Sequence, residues 1–555
     1  MADTVARLYA SFRGADFRGE ECELYRSPDC LNVWRDYKQE DSIRTRPGMK
    51  LHRAFDDTVY GIFFYKDKMM VHCGEKLYKV EGDDATVLLE GLNREVSNGF
   101  VYADKWYFKD GENYLVYDGT FVQTVTGYVP TTSIARKPEG GGTMLEDVNM
   151  LTGHRINTFM ADGISRDYYL DSQDIDELFT PIVKVDGVQV DGFTVDYDAG
   201  KITFNTAPEA PGTDGQDNVS IEYRKIVTGY RNAILRCNLL QVFDNRVFVS
   251  GNPEYPNVLW HCSLDDPTYF SDMDYYREGL DNANIRGMVA GNNALWVFRE
   301  PSDANTTVFY HVPTLDADYG KIYPSNHSSV TTGCIGSAIN FGDDIVFFSD
   351  RGMEGISGDI TTEQVVAHRS TTVDRKLTTE KSFREMILEE WEGYLLVSMG
   401  RSMYLADSRM TYSHEGHREY DWYYWQMEKN VTSAKVYNGV LYLGTDDGVY
   451  TLTDEEAALA SYWVTPKDKL NRPNMLKTTN KRGCIVEATG DVTISAKTDK
   501  SAFEEIGKYE NVTDHIVCRI KEKKFKDIQL KFASDTRFSI SMATLEAFVG
   551  GYIKR

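Results

Sequence analysis

The stretch VYGIFFYKDKMMVHCGEKLYKVEG, residues 59–82, contains the pattern on which the fold prediction rests. Apolar residues alternate along a first strand, a polar turn follows, and two further strands come after it. Alternation with a period of two is typical of half-buried β-strands, and short polar turns join such strands into hairpins. The stretch therefore predicts a small antiparallel β-meander.

The same pattern recurs along the chain, which indicates a repeat architecture. The recurrences are 96–120, 239–263, 285–312, 335–357, 390–407 and 433–454. Their tight turns hold residues that tolerate left-handed backbone, namely Asp104-Lys105, Asp244-Asn245, Asn292-Asn293 and Asn438-Gly439. One small sheet cannot bury both of its faces, whereas radially stacked sheets bury them against each other. We therefore predict an all-β protein with a six- or seven-bladed β-propeller, and a pair of β-sandwiches is the alternative.

Two segments differ from the repeats. Segment 127–226 opens with a loop rich in Pro, Gly and Thr and contains a hairpin pattern around Asp198-Ala199-Gly200, so we predict a small inserted β-domain. Segment 461–555 alternates again and predicts a C-terminal β-sandwich, in which Arg519–Lys526 would be one amphipathic strand. The predicted domains are 1–126 (N-terminal segment and first blades), 127–226 (insert), 227–460 (remaining blades) and 461–555 (sandwich). Short helices are predicted only at 381–391 and 453–460.

The chain is acidic throughout most of its length. Its 555 residues include 61 Lys+Arg and 85 Asp+Glu, a formal net charge of -24, although 461–555 alone has 18 Lys+Arg and 12 Asp+Glu. This charge disfavours nonspecific attraction to nucleic acid or to anionic membranes. No run of about 18 apolar residues and no apolar leader is found, so we expect no membrane span and assembly in a cytoplasm.

Groups that could carry chemistry are few. Eight scattered cysteines without a C-x-x-C pair predict buried free thiols rather than a disulfide framework or a zinc site. Three carboxylate pairs fall in predicted turns, where Asp accepts backbone hydrogen bonds, so we do not expect a glycosidase acid and base among them. These pairs are Asp265-Asp266, Asp343-Asp344 and Asp446-Asp447.

Possible ligand sites are equally weak. His414 with His417 is more typical of solvated loop residues than of a metal site, and Asp316 with Asp318 is more typical of a turn than of a calcium loop. The glycine-rich segment 139–143 lacks the lysine and helix of a phosphate loop. We therefore predict no catalytic residue, no cofactor and no metal. The aromatic cluster Tyr420–Trp425 is expected to be blade core; an exposed contact surface for sugars or proteins is the alternative.

Several short motifs together resemble a known family. They are SFRGADFR at 11–18, Ser27-Pro28 with the nearby Asn32, the segment Arg44–Gly48 and the segment Gly74–Tyr78. In this order they resemble bacteriophage structural propellers, the packaged-DNA stabilisation and tail-nozzle (tail tube) proteins of short-tailed phages. The stretch GNPEYPNVLWHCSLDDPTYFSD at 251–272 is similar to a blade motif of phage tail structural proteins, and 128–143 with 148–155 resembles proteins encoded among the virion genes of phages and prophages of Gram-positive bacteria. The chain departs from that family in its length and in the insertion at 127–226.

The resemblance implies a virion structural protein of the tail or neck, assembled in the bacterial host cytoplasm. Copies would form a homohexameric ring, a nozzle or stabilisation collar, that retains the genome and then conducts it during ejection. Its partners would be the portal, adaptor or other tail proteins, tail fibres, and double-stranded DNA that passes without sequence-specific binding. We expect acidic propeller loops to face the channel, and 127–226 and 461–555 to hold neighbours. The alternatives are a carbohydrate-binding propeller for host-receptor recognition and, less favoured, a glycoside hydrolase.

Overall fold

The structure, a computed structural model, describes residues 3–38, 41–82, 84–304, 306–317, 320–357, 365–414, 417–455, 459–499, 501–521 and 524–553. Nearly all regular structure in these residues is β-strand. The chain divides into two compact units. The first unit comprises Met1–Thr86, Asn305–Val308 and Ser328–Arg555, and the second unit comprises Val87–Ala304 and Phe309–His327.

Five sheets are four-stranded meanders in which strands follow one another in chain order. We call them blades 1 to 5. Blade 1 is Val59–Tyr65, Lys68–Cys73, Lys76–Glu81 and Asp84–Glu90; blade 2 is Asn98–Tyr102, Lys105–Lys109, Tyr114–Tyr117 and Val122–Thr124; blade 3 is Leu239–Phe243, Arg246–Ser250, Val258–His261 and Tyr275–Arg277; blade 4 is Ile285–Gly291, Ala294–Arg299, Val308–His311 and Ser325–His327; blade 5 is Ala338–Phe341, Asp344–Ser349, Gly352–Ser357 and Val365–His368. A hairpin of Thr314–Asp316 and Gly320–Ile322 precedes the last strand of blade 4.

The sixth sheet combines two of the seven repeats, which agrees with the predicted six or seven blades. Repeats 390–407 and 433–454 lie together in one six-stranded sheet. Its strands are Ile387–Trp391, Tyr394–His414, His417–Tyr437, Val440–Thr445, Gly448–Thr453 and Gly48–Ala54. The two long strands extend beyond the repeats and pair with each other as the arms of one hairpin, with His414 opposite His417, and this pairing brings both repeats into one sheet. The N-terminal strand Gly48–Ala54 completes this sheet by pairing with Gly448–Thr453.

The hairpin turns carry the left-handed residues that the sequence predicts. Asn292 and Asn293 have φ of 51° and 59°, and Asp244 with Asn245 and Asn438 with Gly439 are also left-handed. Asp104 is left-handed as well, but its turn partner is Ala103 and not Lys105. Lys105 begins the next strand, where it pairs with Tyr102. Both central residues of such a two-residue turn have positive φ, which matches the twist of the flanking strands.

The second strands of the blades are buried on both faces. All six residues of Ala294–Arg299 and of Asp344–Ser349 are buried. A strand buried on one face only would alternate between buried and exposed residues. Many small sheets, each buried on both sides, are the packing of a propeller rather than of two β-sandwiches. The all-β, propeller-type fold predicted from the sequence is therefore confirmed.

The segment that separates blades 2 and 3 forms two sheets of its own. A six-stranded sheet contains Thr143–Met144, Thr131–Arg136, His154–Phe159, Val219–Arg224, Ile182–Val185 and Val188–Val190, in this order. A three-stranded sheet contains Asp167–Tyr169, Lys201–Phe204 and Phe193–Asp196. Its last two strands are the hairpin predicted around Asp198-Ala199-Gly200. Phe159, Tyr168, Val183 and Ile221 are among the buried residues of a separate core between these strands.

The C-terminal segment does not form its sheet alone. One sheet of ten strands combines Thr4–Ala10, Cys30–Leu31, Val33–Trp34, Ile43–Thr45, Ser461–Val464, Met475–Thr498, Glu504–Val512, His515–Cys518, Ile528–Ser534 and Phe538–Tyr552. Thr4–Ala10 pairs with Phe538–Tyr552, so the chain ends complete each other. The sandwich predicted at 461–555 therefore includes strands from the first 45 residues.

Two local predictions are corrected. The described residues of Arg519–Lys526 do not form a strand, because only Phe525 makes a β-bridge, to Lys477. The segment is a connection in which the Phe525 ring is buried. Segment 381–391 holds a 3-10 turn, Phe383–Glu385, and then a strand, because Ile387–Trp391 pairs with Tyr394–Ser398. Short α-helices lie instead at Tyr230–Leu235 and Asp374–Leu377. The helix predicted at 453–460 falls partly outside the described residues.

Candidate functional site

The N-terminal segment is held on the strand that carries the aromatic cluster by a buried ion-pair network. The Asp421 carboxylate is fully buried and accepts from Arg13 Nε at 2.9 Å and from Arg26 Nη2 at 3.1 Å. The Arg26 side chain is itself only 1% exposed. Burial raises the pKa of Asp421, and the two guanidinium groups oppose that shift. We call this contact, with the neighbouring contacts of Arg46 and Gly14, the latch.

The second part of the latch is Arg46, which belongs to the Arg44–Gly48 motif. Its buried guanidinium donates to Asn32 Oδ1 at 3.0 Å, to the Gln426 carbonyl at 2.8 Å and to Glu428 Oε2 at 2.8 Å. It also lies over the ring of Trp425, 5.8 Å from the centroid. Arginine suits this position because its planar fork binds several acceptors at once and its face packs on an aromatic ring.

The Ser27 and Asn32 side chains extend the latch to the C-terminal segment. Ser27 Oγ donates to the Val464 carbonyl at 2.7 Å, and Asn32 Nδ2 donates to the Ala460 carbonyl at 2.9 Å. Both residues are buried. Ser27, Asn32 and Arg46 therefore connect the N-terminal segment to the strand His417–Tyr437 and to residues 460–464.

Gly14 allows the closest approach within the latch. Its φ is +84°, and a Cβ built there would lie 2.3 Å from the carbonyl oxygen of Trp422. The same carbonyl accepts from the Ala15 amide at 2.7 Å. Only glycine combines this left-handed conformation with backbone contact at such a distance. The residues around Gly14 give no indication that the strand His417–Tyr437 approaches it, so its role could not be predicted from the sequence.

The aromatic cluster Tyr420–Trp425 is core, as expected. Tyr420, Trp422, Tyr423 and Trp425 are completely buried, and Tyr424 is 7% exposed. Tyr420 OH donates to Asp344 at 2.6 Å, and Trp422 Nε1 donates to the Arg369 carbonyl at 3.0 Å. A sugar-binding platform needs exposed ring faces, so this cluster cannot supply one.

The three carboxylate pairs are occupied by local partners. The side chains of Asp265 and Asp266 accept from Tyr102 OH and from Thr268, respectively. Asp344 is buried in an ion pair with Arg369, at 2.9 Å. Asp447 accepts from Thr445 Oγ1 at 2.8 Å and from Lys429 at 2.8 Å. These carboxylates therefore accept from turn residues or form ion pairs, of which the sequence predicts only the turns. No two of the three pairs lie together in a pocket.

The candidate metal sites give no support for a metal. His414 and His417 pair with each other at a hairpin, and their side chains are outside the described part of the chain. Asp318 is also outside the described residues. Within the part of the chain that the structure describes, no three His, Cys, Asp or Glu side chains are grouped to hold a metal ion. The segment 139–143 is a loop with three left-handed glycines. Seven of the eight cysteines are buried thiols, and Cys22 is half-buried.

One histidine is poised between two carboxylates in the first unit. His368 Nε2 lies 2.5 Å from Asp374 Oδ2, and His368 Nδ1 lies 3.2 Å from Glu354 Oε2. Burial lowers the pKa of His368, but hydrogen bonds to Asp374 and Glu354 outweigh it and raise this pKa to about 9. The side chain is therefore a cation at neutral pH and bridges two strands of the first unit to the helix Asp374–Leu377.

A pH dependence of stability follows from His368. Because its pKa rises on folding from an ordinary value of 6.5 to about 9, its contribution is complete below pH 6.5 and is lost as the pH rises through 9. We expect His368→Gln to remove up to about 3 kcal/mol of stability at pH 6 and much less at pH 10. Urea unfolding at both pH values measures this difference. His327→Gln, at an exposed histidine, is the control, and an equal loss at both pH values would refute the expectation.

Acidic residues are unevenly distributed. The second unit contains 18 Lys+Arg and 35 Asp+Glu, and the first unit contains 43 and 50. Segments 1–126 and 227–460 together contain 35 Lys+Arg and 56 Asp+Glu. Several blade hairpins place a carboxylate at the turn, and Asp67, Asp104 and Asp343 are exposed there. Since the only helices among the described residues are of one or two turns, none could cross a bilayer.

Comparisons with known proteins give no family. No protein-family model matches the chain, and no curated protein matches it. The chain is similar to BamB from Moraxella catarrhalis, with 11% identity and a TM-score of 0.32 over 74% of this chain and 98% of that one. It is also similar to YCF48 bound to D1 peptide, with 6% identity and a TM-score of 0.32 over 75% and 100% of the chains. The computationally designed Ika8 protein has 11% identity and a TM-score of 0.31 over 73% and 99%. Scores this low carry no argument about function, and none of the three is named as a virion protein.

Proposed function

We propose that this chain is a structural protein of a bacteriophage tail or neck. Copies of it form a ring around the channel in which double-stranded DNA is retained and through which it then leaves the particle. The family resemblance of the motifs between Ser27 and Tyr78 supports this proposal. Ser27, Asn32 and Arg46 of these motifs are buried in the latch, which supports a structural role for the motifs.

The observation that carries the proposal is the distribution of charge. The segments that bear the blades hold 56 Asp+Glu against 35 Lys+Arg. Carboxylates at a channel wall repel the phosphates of duplex DNA, so that DNA slides past without being held. A DNA-binding surface would need the opposite sign of charge. Exposed carboxylates at blade turns, such as Asp67 and Asp343, are the groups that we place at the channel.

The insert at 127–226 is proposed to contact neighbouring proteins. It exposes large apolar side chains, with Met144 81% exposed, Ile164 83% exposed and Leu178 89% exposed. Exposed apolar groups on an otherwise acidic domain favour contact with another protein rather than with DNA. The neighbour that we propose is another copy of the chain, an adaptor or a fibre.

The residues that the sequence offers for carbohydrate binding or glycoside hydrolysis are not available for those roles. The aromatic cluster Tyr420–Trp425 is buried, and the carboxylate pairs are engaged in turns and ion pairs. We propose no enzymatic role and no cofactor.

The channel role is tested by reversing charge at the blade turns. In the assembled protein, the double variant Asp67→Lys with Asp343→Lys places two new cations per copy at the proposed wall. We expect this variant to retain linear duplex DNA at about 50 mM salt and to release it as salt rises to about 200 mM, because each phosphate contact releases counterions. A mobility-shift assay on the assembled protein measures retention.

A matched control has the same change of charge away from the proposed wall. Asp191 and Asp214 are exposed residues of the insert, and Asp191→Lys with Asp214→Lys should leave DNA unretained. Equal retention by both double variants would show a general effect of charge and would contradict the channel role of the blade turns. Binding of linear duplex DNA to the unmodified assembly would contradict the repulsion by the channel wall as well.

A further inference from the structure

Two cysteines face each other across adjacent strands of the ten-stranded sheet. Antiparallel pairing of Met475–Thr498 with His515–Cys518 sets Cys484 directly opposite Cys518. Each cysteine is 1% exposed. The residues next to them, Ile485 and Val517, are 36% and 46% exposed. Since side chains alternate between the faces of a strand, both thiols point to the same buried face.

The two cysteines lie within the Cα range of a disulfide. The Ala488 amide donates to the Asp514 carbonyl at 3.0 Å, which marks residues 488 and 514 as a hydrogen-bonded pair. The register is unbroken from there to the cysteines, and hydrogen-bonded pairs recur at every second position. Cys484 and Cys518 are therefore such a pair, with Cα atoms about 5.5 Å apart, and disulfides most often join Cα atoms about 5.5–6 Å apart. Because a disulfide also needs Cβ atoms about 3.5–4.5 Å apart, and the Cβ atoms of a hydrogen-bonded pair are farther apart than that, the two strands must move closer as the bond forms.

The surroundings favour reaction at Cys518. A hydrogen bond with the Cys484 thiol, and a further one with Tyr509, lower the pKa of Cys518 although burial opposes this. The thiolate is the reactive form of cysteine. Cys518 ends the four-residue strand His515–Cys518, which pairs only with Met475–Thr498 among the described strands. Short edge strands open locally at low cost, and such opening admits a small oxidant.

We propose that Cys484 and Cys518 are a redox-active dithiol that a small-molecule disulfide oxidises to an intrachain disulfide. The Cys518 thiolate attacks one sulfur of oxidised glutathione, and one molecule of glutathione leaves. The Cys484 thiolate, its proton given to water, then attacks Cys518 Sγ in the mixed disulfide, and the second glutathione leaves. Two protein thiols are oxidised and one oxidised glutathione is reduced to two thiols.

The disulfide fastens the edge strand to the centre of the sheet. It closes the loop 484–518 covalently, and such closure stabilises a fold mainly by restricting the unfolded chain. The ten-stranded sheet would then resist unfolding better in an oxidising medium than in a reducing one. Neither the pairing of the two cysteines nor their reaction depends on the proposed function.

The test uses the folded full-length protein and an excess of oxidised glutathione. After removal of the reagent, free thiols are alkylated in denaturant and counted by mass spectrometry. We expect the count to fall from the eight cysteines of the sequence to six. Trypsin should yield peptide 483–497 linked to peptide 509–519, and dithiothreitol should separate them. The oxidised protein should also melt at a higher temperature than the reduced protein.

Three variants make the result specific. Cys22→Ser, at the half-buried cysteine, should still lose two thiols on oxidation. Cys484→Ser should stop at the glutathione adduct on Cys518, and Cys518→Ser supplies the same test from the other side if Cys484→Ser does not fold. Eight alkylated cysteines after treatment of the unmodified protein, or a linkage between other cysteines, would overturn the proposal.

Discussion

Replacement of Asp421 by alanine is expected to lower the free energy of unfolding of the first unit by about 3–5 kcal/mol, the usual cost of removing one partner of a buried ion pair. The reason is that Arg26, which is 1% exposed, would lose its buried carboxylate partner and would keep an ion pair only with Glu23, whose side chain is 57% exposed. Arg13 would lose the same partner. Urea unfolding followed by tryptophan fluorescence measures the loss, since Trp422 and Trp425 lie beside the latch.

Glu455→Ala is the matched control for Asp421→Ala. Its carboxylate is 81% exposed and pairs with Lys50, whose side chain is 56% exposed. Exposed ion pairs contribute little, so this change should shift stability by less than about 1 kcal/mol. If Asp421→Ala were as mild as Glu455→Ala, the latch would not hold the N-terminal segment in the way described above.

Replacement of Gly14 by alanine is expected to destabilise the first unit by about 2–4 kcal/mol. A side chain at φ +84° is strained, and its Cβ would lie 2.3 Å from the Trp422 carbonyl oxygen. Relief of this clash requires the backbone to move, which lengthens the hydrogen bond from Ala15 to Trp422. The melting temperature and the urea midpoint of the variant should both fall.

Gly19→Ala tests whether the effect belongs to the site or to any glycine of the segment. A Cβ at Gly19 meets nothing within 4 Å, and its φ is outside the left-handed range. We expect a change within about 0.5 kcal/mol. Equal losses at Gly14 and Gly19 would contradict the close approach of the N-terminal segment to Trp422.

The repeats were predictable because strand alternation and turn chemistry are local. The turn residues Asn292 and Asn293, for example, indicate left-handed backbone without any knowledge of their surroundings. The union of two repeats in one six-stranded sheet depends on two long strands that extend beyond the repeats and pair with each other, and the repeat pattern alone does not indicate that pairing. The pairing of Gly48–Ala54 with Gly448–Thr453 joins positions 400 residues apart, and local patterns carry no record of such pairing.

The functional residues show the same division. Burial of Tyr420–Trp425 follows from the density of apolar rings and was predicted. The Asp421 ion pairs were missed, because a single Asp among aromatic residues gives no sign of arginines from the first 30 residues. His368 was missed for a related reason, since Glu354 and Asp374 flank it only after blade 5 and the following helix have packed. Long-range partners of charged side chains are set by topology, and one sequence does not encode them locally.

We propose that copies of this chain form a closed ring. The ring is tested by the mass of the purified protein in solution, together with negative-stain class averages of the same sample. We expect a particle of six times the 63.1 kDa chain mass, with a central hole. A monomer that persists at high protein concentration, with class averages that show no central hole, would contradict it.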